Sequence, residues 1–298
     1  MFRFKSKDIH PILKDSSLQN ELEINGFVII PFHNSEDIQK LTDFYNEHTK
    51  SNQNGFQPTT YFNSLEYRLK ASTFIKNIAH KYIEKHLKDY KTYMGSFIVK
   101  HPDKNSELGV HQDMTLVDES QFMGINIWSP LCDTTSKNGA LYLIPKSHRI
   151  FPTYRNATIK NIYDKHYSLI RKYMQPMNIK AGEAIIFDNS ILHYSPANLS
   201  GKIRIATNVF VTHQAAKITI SYHDKTKNQI ELFEEDDDFF TTYTQFGNDS
   251  NQERPKIGKS LGFFDYNFPD LTPEFLKKNY GEPKSENWFY KIKEKRFL

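Results

Sequence analysis

From Lys91 onward the apolar residues of this chain recur with a period of two, and that change constrains the fold more than any other feature. Thr92 to Lys100, Phe122 to Leu131, Ala140 to Ile144, Met177 to Lys180, Ala184 to Phe187, Ile203 to Val211, Lys217 to Tyr222 and Gln229 to Phe233 each read as a strand between turn signals. Parallel strands need a long crossover, usually a helix, whereas antiparallel strands can be joined by turns. Many short strands in succession without βαβ helices therefore predict a mainly β chain, an antiparallel barrel or sandwich. Asp133 to Asn138, ending in Asn138-Gly139, is a polar turn of the hairpin kind. Residues 163 to 174 read as a helix within an insert.

The N-terminal part is patterned differently. A short helix over residues 16 to 25 opens at a Ser16 or Ser17 cap and is broken by Asn25-Gly26. Phe27 to Phe32 is a buried strand. A second helix runs from the Asn34/Ser35 cap to about Thr49, with Ile38, Leu41, Phe44 and Tyr45 at helical spacing, and a third occupies residues 65 to 88. These helices are expected to buttress the sheet, their aromatic positions in the core. At the other end, Glu234 to Asp238 is a charge run whose consecutive carboxylates do not converge, so it reads as a solvated loop or helix start. The tail from Leu261 to Leu298 is too apolar to be free and is expected to pack on the barrel or on a partner subunit.

Composition narrows the classes. At 298 residues the chain suits one large β domain. Hydrophobic residues make up only 38%, but 23 Phe and 17 Tyr supply bulk for a core. Lys plus Arg exceed Asp plus Glu by 39 to 35 and the charges are scattered, which gives nucleic acid no basic stripe to bind. The single cysteine, Cys132, excludes an intrachain disulfide framework and a cysteine zinc site, and fits a reducing cytosol. Met1 to Lys7 is charged and no long apolar segment follows it, so neither a secretory signal nor a membrane span is expected and the location is read as cytoplasmic.

The candidate reaction motif is Gly109-Val110-His111-Gln112-Asp113-Met114. If residues 109 to 115 are extended, His111 and Asp113 project from one face and Gln112 from the other. With a distant His193 they form the two-His-one-carboxylate facial triad, which binds Fe(II) and leaves coordination positions open. A His-x-Asp pair alone also fits a solvated surface strand, and with 12 His in the chain a third ligand is available by chance. The surroundings therefore carry the reading.

Those surroundings agree. Arg204 follows His193 by eleven residues on Arg204-Ile205-Ala206-Thr207-Asn208-Val209, and an arginine one strand away from a metal histidine can clamp a carboxylate with two parallel hydrogen bonds. Ser195, two residues beyond His193, lies on its side of an extended chain. Asn138-Gly139-Ala140-Leu141-Tyr142-Leu143-Ile144-Pro145-Lys146-Ser147-His148-Arg149 is a turn, strand and basic loop, and Ala181 to Asp188 is a turn and strand leading to His193. With these motifs the chain, from about Asn25 to about Val211, resembles the phytanoyl-CoA dioxygenase family of Fe(II)/2-oxoglutarate oxygenases.

The resemblance implies a double-stranded β-helix, the jelly-roll or cupin-like barrel, buttressed by N-terminal helices. It implies one domain over residues 1–298, with residues 212–298 as C-terminal strands and a tail packed on the barrel. Its iron ligands match His111, Asp113 and His193. Arg204 and Ser195 match the residues that hold the distal carboxylate of 2-oxoglutarate, Gln112 the middle glutamine of the motif, and Trp128 a tryptophan lining the cosubstrate pocket. Ser96 takes the place of a cosubstrate contact that is apolar elsewhere. The cofactors implied are Fe(II), 2-oxoglutarate and O2. The activity implied is hydroxylation, or a related oxidation, of an unactivated C–H in a small organic substrate, with release of succinate and CO2.

Asp113 stands where related halogenases carry a small residue, which favours hydroxylation, desaturation or ring formation. A small metabolite or natural-product intermediate is the expected substrate, with an acyl-CoA as the alternative; no phosphate-cradling Gly-rich loop or dense basic patch favours the latter. Two other classes compete. A non-catalytic barrel binding a metal or metabolite would be expected to have lost a ligand, and a zinc hydrolase leaves Arg204 and Ser195 without a role. Trp128 reads equally as a core residue, Gln112 as a tie to a neighbouring strand, His148 and Arg149 as a structural loop pair, and Lys100 as an exposed strand-end charge. A monomer or homodimer is expected.

Overall fold

The strand Arg204–His213 divides its side chains between two interiors, as a period of two demands. Ile205, Val209 and Val211 enter a core shared with helices, while Arg204, Asn208 and Phe210 face a cavity on the opposite side. The rest of the computed structural model, which describes residues 9–49, 54–150, 154–242, 253–268 and 270–283, is arranged around that division. In chain order it runs α1 (Ser16–Asn25), β1 (Phe27–Pro31), α2 (Ser35–His48), β2 (Phe56–Pro58), α3 (Leu65–His86), β3 (Tyr90–Lys100), β4 (Leu108–His111), β5 (Gly124–Pro130) and β6 (Leu141–Leu143). It continues with α4 (Tyr167–Arg171), β7 (Gln175–Met177), β8 (Glu183–Asp188), β9 (His193–Ser195), β10 (Arg204–His213), β11 (Ile218–Asp224), β12 (Gln229–Glu235), α5 (Phe239–Thr242), β13 (Lys259–Asp265) and α6 (Pro273–Tyr280).

A six-stranded antiparallel sheet has the order β1-β8-β5-β10-β3-β2, and a four-stranded one the order β4-β9-β6-β7. The two face each other through Trp128, Leu141, Leu143, Met177, Ile185 and Ala206. This is the mainly β jelly-roll arrangement expected, although strand pairing closes no continuous ring among the described residues. The outer face of the large sheet carries α1, α2 and α3. α3 approaches β3 so closely that a Cβ on Gly95 would lie 2.9 Å from both Ile75 and the Ser72 carbonyl. A third sheet, β11-β12-β13, extends beyond this sandwich. No helix among the described residues is long and apolar enough to cross a membrane.

Several local expectations are corrected. The cap of α1 is Asp15, whose carboxylate accepts from the backbone of Ser17 and Leu18, rather than Ser16 or Ser17. The strand expected over residues 177 to 180 is instead Gln175–Met177, its partner β6 ending the register at Met177. Only a 3-10 turn and the five-residue α4 form within residues 163 to 174, where no side-chain cap opens the helix. The charge run is partly strand: Glu234 and Glu235 belong to β12, and Glu235 is buried. The C-terminal tail contributes β13 and α6, and Leu271 and Leu276 pack with Tyr163 and Ile170; residues 284–298 lie outside the described residues.

Two consequences are measurable. Gly95→Ala should lower stability by about 1–3 kcal/mol through overpacking against α3, seen as a lower urea midpoint. Glu235 has an unpartnered buried oxygen, and burial, followed by Asp236, pushes its carboxyl up to about 7. Its folded pKa lies above the unfolded one, so the protein binds the extra proton at low pH and loses stability as pH rises toward 7. Glu235→Gln should therefore gain stability over the wild type at about pH 8 but not at about pH 5, and an identical difference at both would contradict the assignment.

Candidate metal centre and its cavity

In the small sheet β4 pairs with β9 so that His111 lies directly opposite His193, their ring centroids 4.1 Å apart. The expectation that residues 109 to 115 form one extended strand holds only to His111, where β4 ends after a register shift. Asp113 is instead placed by its own backbone, whose N–H donates to Asn189 O at 2.9 Å. The side chains still converge. Asp113 Oδ1 is 3.6 Å from His111 Nε2 and 3.7 Å from His193 Nε2, and one ligand atom from each of the three lies within 4.8 Å of the others.

Hydrogen bonds on the far side of each ring explain the geometry. His111 Nδ1 lies 2.7 Å from Gly109 O and His193 Nδ1 lies 3.0 Å from Ile191 O. A carbonyl only accepts, so each Nδ1 carries the proton and donates, and each Nε2 is turned inward. Burial, then the neighbouring His111, pushes His193 down to about 4, so its Nε2 lone pair is free at neutral pH. For His111 burial opposes the charge, yet the Asp113 carboxylate outweighs it and raises the pKa. Burial would raise Asp113 too, but His193 and His111 hold it below the ordinary carboxylate range. Two imidazole nitrogens and a carboxylate around one point form a cation site with the donor set of a facial triad.

An amide chain holds the carboxylate. Asn126 on β5 donates from Nδ2 to Asp113 Oδ2 and to Asn189 Oδ1, both at 2.8 Å, and accepts from Asn208 Nδ2 at 2.6 Å. Because the carboxylate can only accept, the direction of every amide in the chain follows from it. Arg155 donates from Nε to Asp113 O at 2.6 Å, and its buried guanidinium pairs with Glu119. Gln112 turns away from the centre, its amide joined to Ser190 O and Tyr163 OH. Such outer partners fix the orientation of the side chains they hold.

The triad opens into a cavity of about 380 Å³ that also takes in Trp128, Ser195 and Arg204. Arg204 is 2% exposed. It donates from Nη1 to Ile98 O at 3.1 Å and lies 5.3 Å from the Trp128 ring, with Nε unpartnered and no acidic partner among the described residues. Burial lowers its pKa to about 10, leaving it cationic at neutral pH. A buried guanidinium without a counter-charge suits a carboxylate brought in by a ligand.

Lys100 sits across from Arg204 in the β3–β10 register. It is fully buried rather than an exposed strand-end charge, and it donates to the carbonyls of Ser106, Ser195 and Pro196. Burial first, then Arg204, pulls its pKa down to about 6, against a smaller upward pull from Glu107. Its stem passes under Gly139, where φ is +80° and a Cβ would meet Lys100 Cδ at 2.6 Å; the Asn138-Gly139 turn therefore serves packing as well as chain reversal. Ser96 is buried, bonded to Phe97 O, and does not line this cavity. His148 is buried, with Nε2 3.0 Å from Glu23 O beside Gly26, so it serves the loop structure.

Asn126, Asn189, Asn208 and Arg155 were not singled out by the sequence motifs. Alternation does place Asn126 on the face of Trp128 and Asn208 on that of Arg204. Asn189 and Arg155 lie in loops, where no periodicity marks them.

The phytanoyl-CoA dioxygenase (PhyH) family model matches residues 24–206. Phytanoyl-CoA dioxygenase 1 of Oryza sativa subsp. japonica is 26% identical over 152 residues, 49% of this chain and 53% of that protein. The phytanoyl-CoA dioxygenase domain-containing protein 1 homolog of Dictyostelium discoideum is 32% identical over 120 residues, 37% of this chain and 42% of that one. The chain thus spans about half the length of the curated relatives it matches. Among solved structures, the non-heme α-ketoglutarate-dependent carbocyclase SnoK from nogalamycin biosynthesis shares the fold at a TM-score of 0.51 and 14% identity, over 68% of this chain and 86% of that one.

If the amide chain orients the carboxylate, Asn126→Leu, of similar shape, should weaken divalent-metal binding by about 10–100-fold. Competition against a metallochromic indicator measures this, and unchanged affinity in a variant with wild-type melting would remove Asn126 from the site.

Proposed function

The chain belongs to the phytanoyl-CoA dioxygenase family, and from that premise we propose that it is an Fe(II)- and 2-oxoglutarate-dependent dioxygenase that oxidises an unactivated C–H of a small organic molecule. One observation carries the reading: Arg204, buried with no acidic partner among the described residues, faces the same cavity as three converging metal-ligating atoms. That combination suits a metal ion together with a short dicarboxylate.

His111, Asp113 and His193 would hold the iron. Arg204 would grip the distal carboxylate, with Ser195 beside it and Trp128 beneath the guanidinium. Bound there, iron and 2-oxoglutarate would supply dioxygen activation coupled to oxidative decarboxylation, giving succinate and CO2. The protein does the rest. Nδ1 donation to Gly109 and Ile191 keeps both Nε2 atoms aimed inward, Asn126 fixes the carboxylate, and the apolar walls exclude water. Gln112, which also borders the cavity, would act through its bonds to Ser190 and Tyr163.

The preferred substrate is a small metabolite or natural-product intermediate. Whole-chain activity as one domain in the cytosol fits the single cysteine, Cys132, which is free and half-buried. A zinc hydrolase would need the same three ligands but has no use for a carboxylate clamp.

Asp113→Ala should abolish Fe(II)-dependent succinate production, and Arg204→Ala should raise the 2-oxoglutarate KM by about 100-fold with metal affinity little changed. Coupled succinate detection and anaerobic Fe(II) titration measure both. Wild-type 2-oxoglutarate kinetics in the arginine variant would refute the assignment of Arg204.

A further inference from the structure

The far wall of the cavity is built in part from residues outside the stretch that matches the family model. Beyond residue 206 the chain contributes Phe210 from β10 and Phe240 from α5, and Met94, Met114 and Leu116 complete the wall. Phe240 is held by its neighbours: ring centroids lie 5.0 Å from Phe210, 5.8 Å from Tyr93 and 5.3 Å from Phe239. These rings and Leu116 belong to one buried cluster that also carries Ile218, Ile220 and Phe233. The wall is therefore packed from behind.

Charge accounting then restricts the occupant. Among the described residues lining this cavity, the ionisable groups are Tyr61, His111, Asp113, His193 and Arg204. Burial raises Tyr61, so it stays neutral. The other four are taken up by the metal and the dicarboxylate. Lys100, across the strand pair from Arg204, has its N–H groups on three backbone carbonyls and does not line the space. A carboxylate, phosphate or ammonium on the part of a substrate inside this cavity would find no free opposite charge among the described lining residues, and against the Met94, Met114, Leu116, Phe210 and Phe240 wall no polar side chain either, which is disfavoured. Flat apolar groups gain there from ring packing and from adaptable thioethers.

We propose that the substrate, in the part that enters the cavity, is an uncharged and mainly apolar ring system seated against Phe210, Phe240 and Leu116. The proposal rests on the dioxygenase reading, since it assigns Arg204 to the cosubstrate.

Indole, indole-3-carboxylate and tryptamine serve as probes of matched shape and different charge. Their affinities are measured by anaerobic calorimetry on the full chain with Fe(II) and saturating 2-oxoglutarate, after binding of the dicarboxylate has been measured alone. Indole should bind at least about tenfold tighter than either charged probe. Leu116→Lys should shift that preference toward indole-3-carboxylate, and Phe240→Ala should weaken indole about tenfold without favouring a charged probe. Equal or reversed affinities in the wild type with 2-oxoglutarate bound overturn the proposal, as does failure of all three probes to bind. Failure of 2-oxoglutarate itself to bind overturns the dioxygenase reading beneath it, and the two failures are distinct.

Discussion

The cross-strand pair of His111 and His193 fixes the register of the small sheet, and most of the site depends on it. A slip of one residue in that pairing would turn His111 outward and bring Val110 or Gln112 into its place. What prevents the slip is packing on both sides. Val110 and Leu192 belong to an apolar cluster with Ile144 and Tyr163, which rewards only the register that buries them. Gln112 adds a polar lock, reaching both Ser190 and Tyr163 from the residue between the two ligands. The residue facing away from the ion thus helps determine that its neighbours face toward it.

The large sheet contributes an unusual row. Lys100 and Arg204 are direct partners across β3 and β10, both buried, and like charges so placed repel. Their surroundings resolve the conflict differently. Lys100 is satisfied by three carbonyls, one on the last residue of β9 and one on the residue just after it, so its amino group ties β3 to the segment that carries His193. Arg204 has one carbonyl and an unpartnered Nε, so its charge is the one left in need of an anion.

Alternation carries most of what is legible in the sequence. It finds the long strands β3, β5, β8 and β10, and it places Arg204, Trp128 and Asn208 on the same interior because each strand has one face on the helices and one on the cavity. The triad is legible from its residue types only together with the motifs around it, Arg204 and Ser195 above all. Features set by contact over distance are not: β4 stops at His111 because Asp113 bonds to Asn189 instead of continuing the ladder. β2 and β9 are three residues each, too short to show a period. β13 is exposed along nearly its whole length, so no apolar face announces it. Lys100 looks like a strand-end charge until the Asn138-Gly139 turn is seen folded over its stem.

The same distinction separates what the site can vary from what it cannot. His111, His193 and Arg204 are held by strand register, and Asp113 by an amide chain anchored in β5 and β10, so moving any of them requires a sheet to move. Phe240 is held by aromatic contacts from a four-residue helix, and Leu116 by the same cluster. Replacing such a side chain changes the volume and polarity of the cavity while the ladders remain paired. A fold that keeps its candidate ligand and arginine positions on hydrogen-bonded strands and its far wall on side-chain packing can vary the shape of the cavity without disturbing the cluster at its other end.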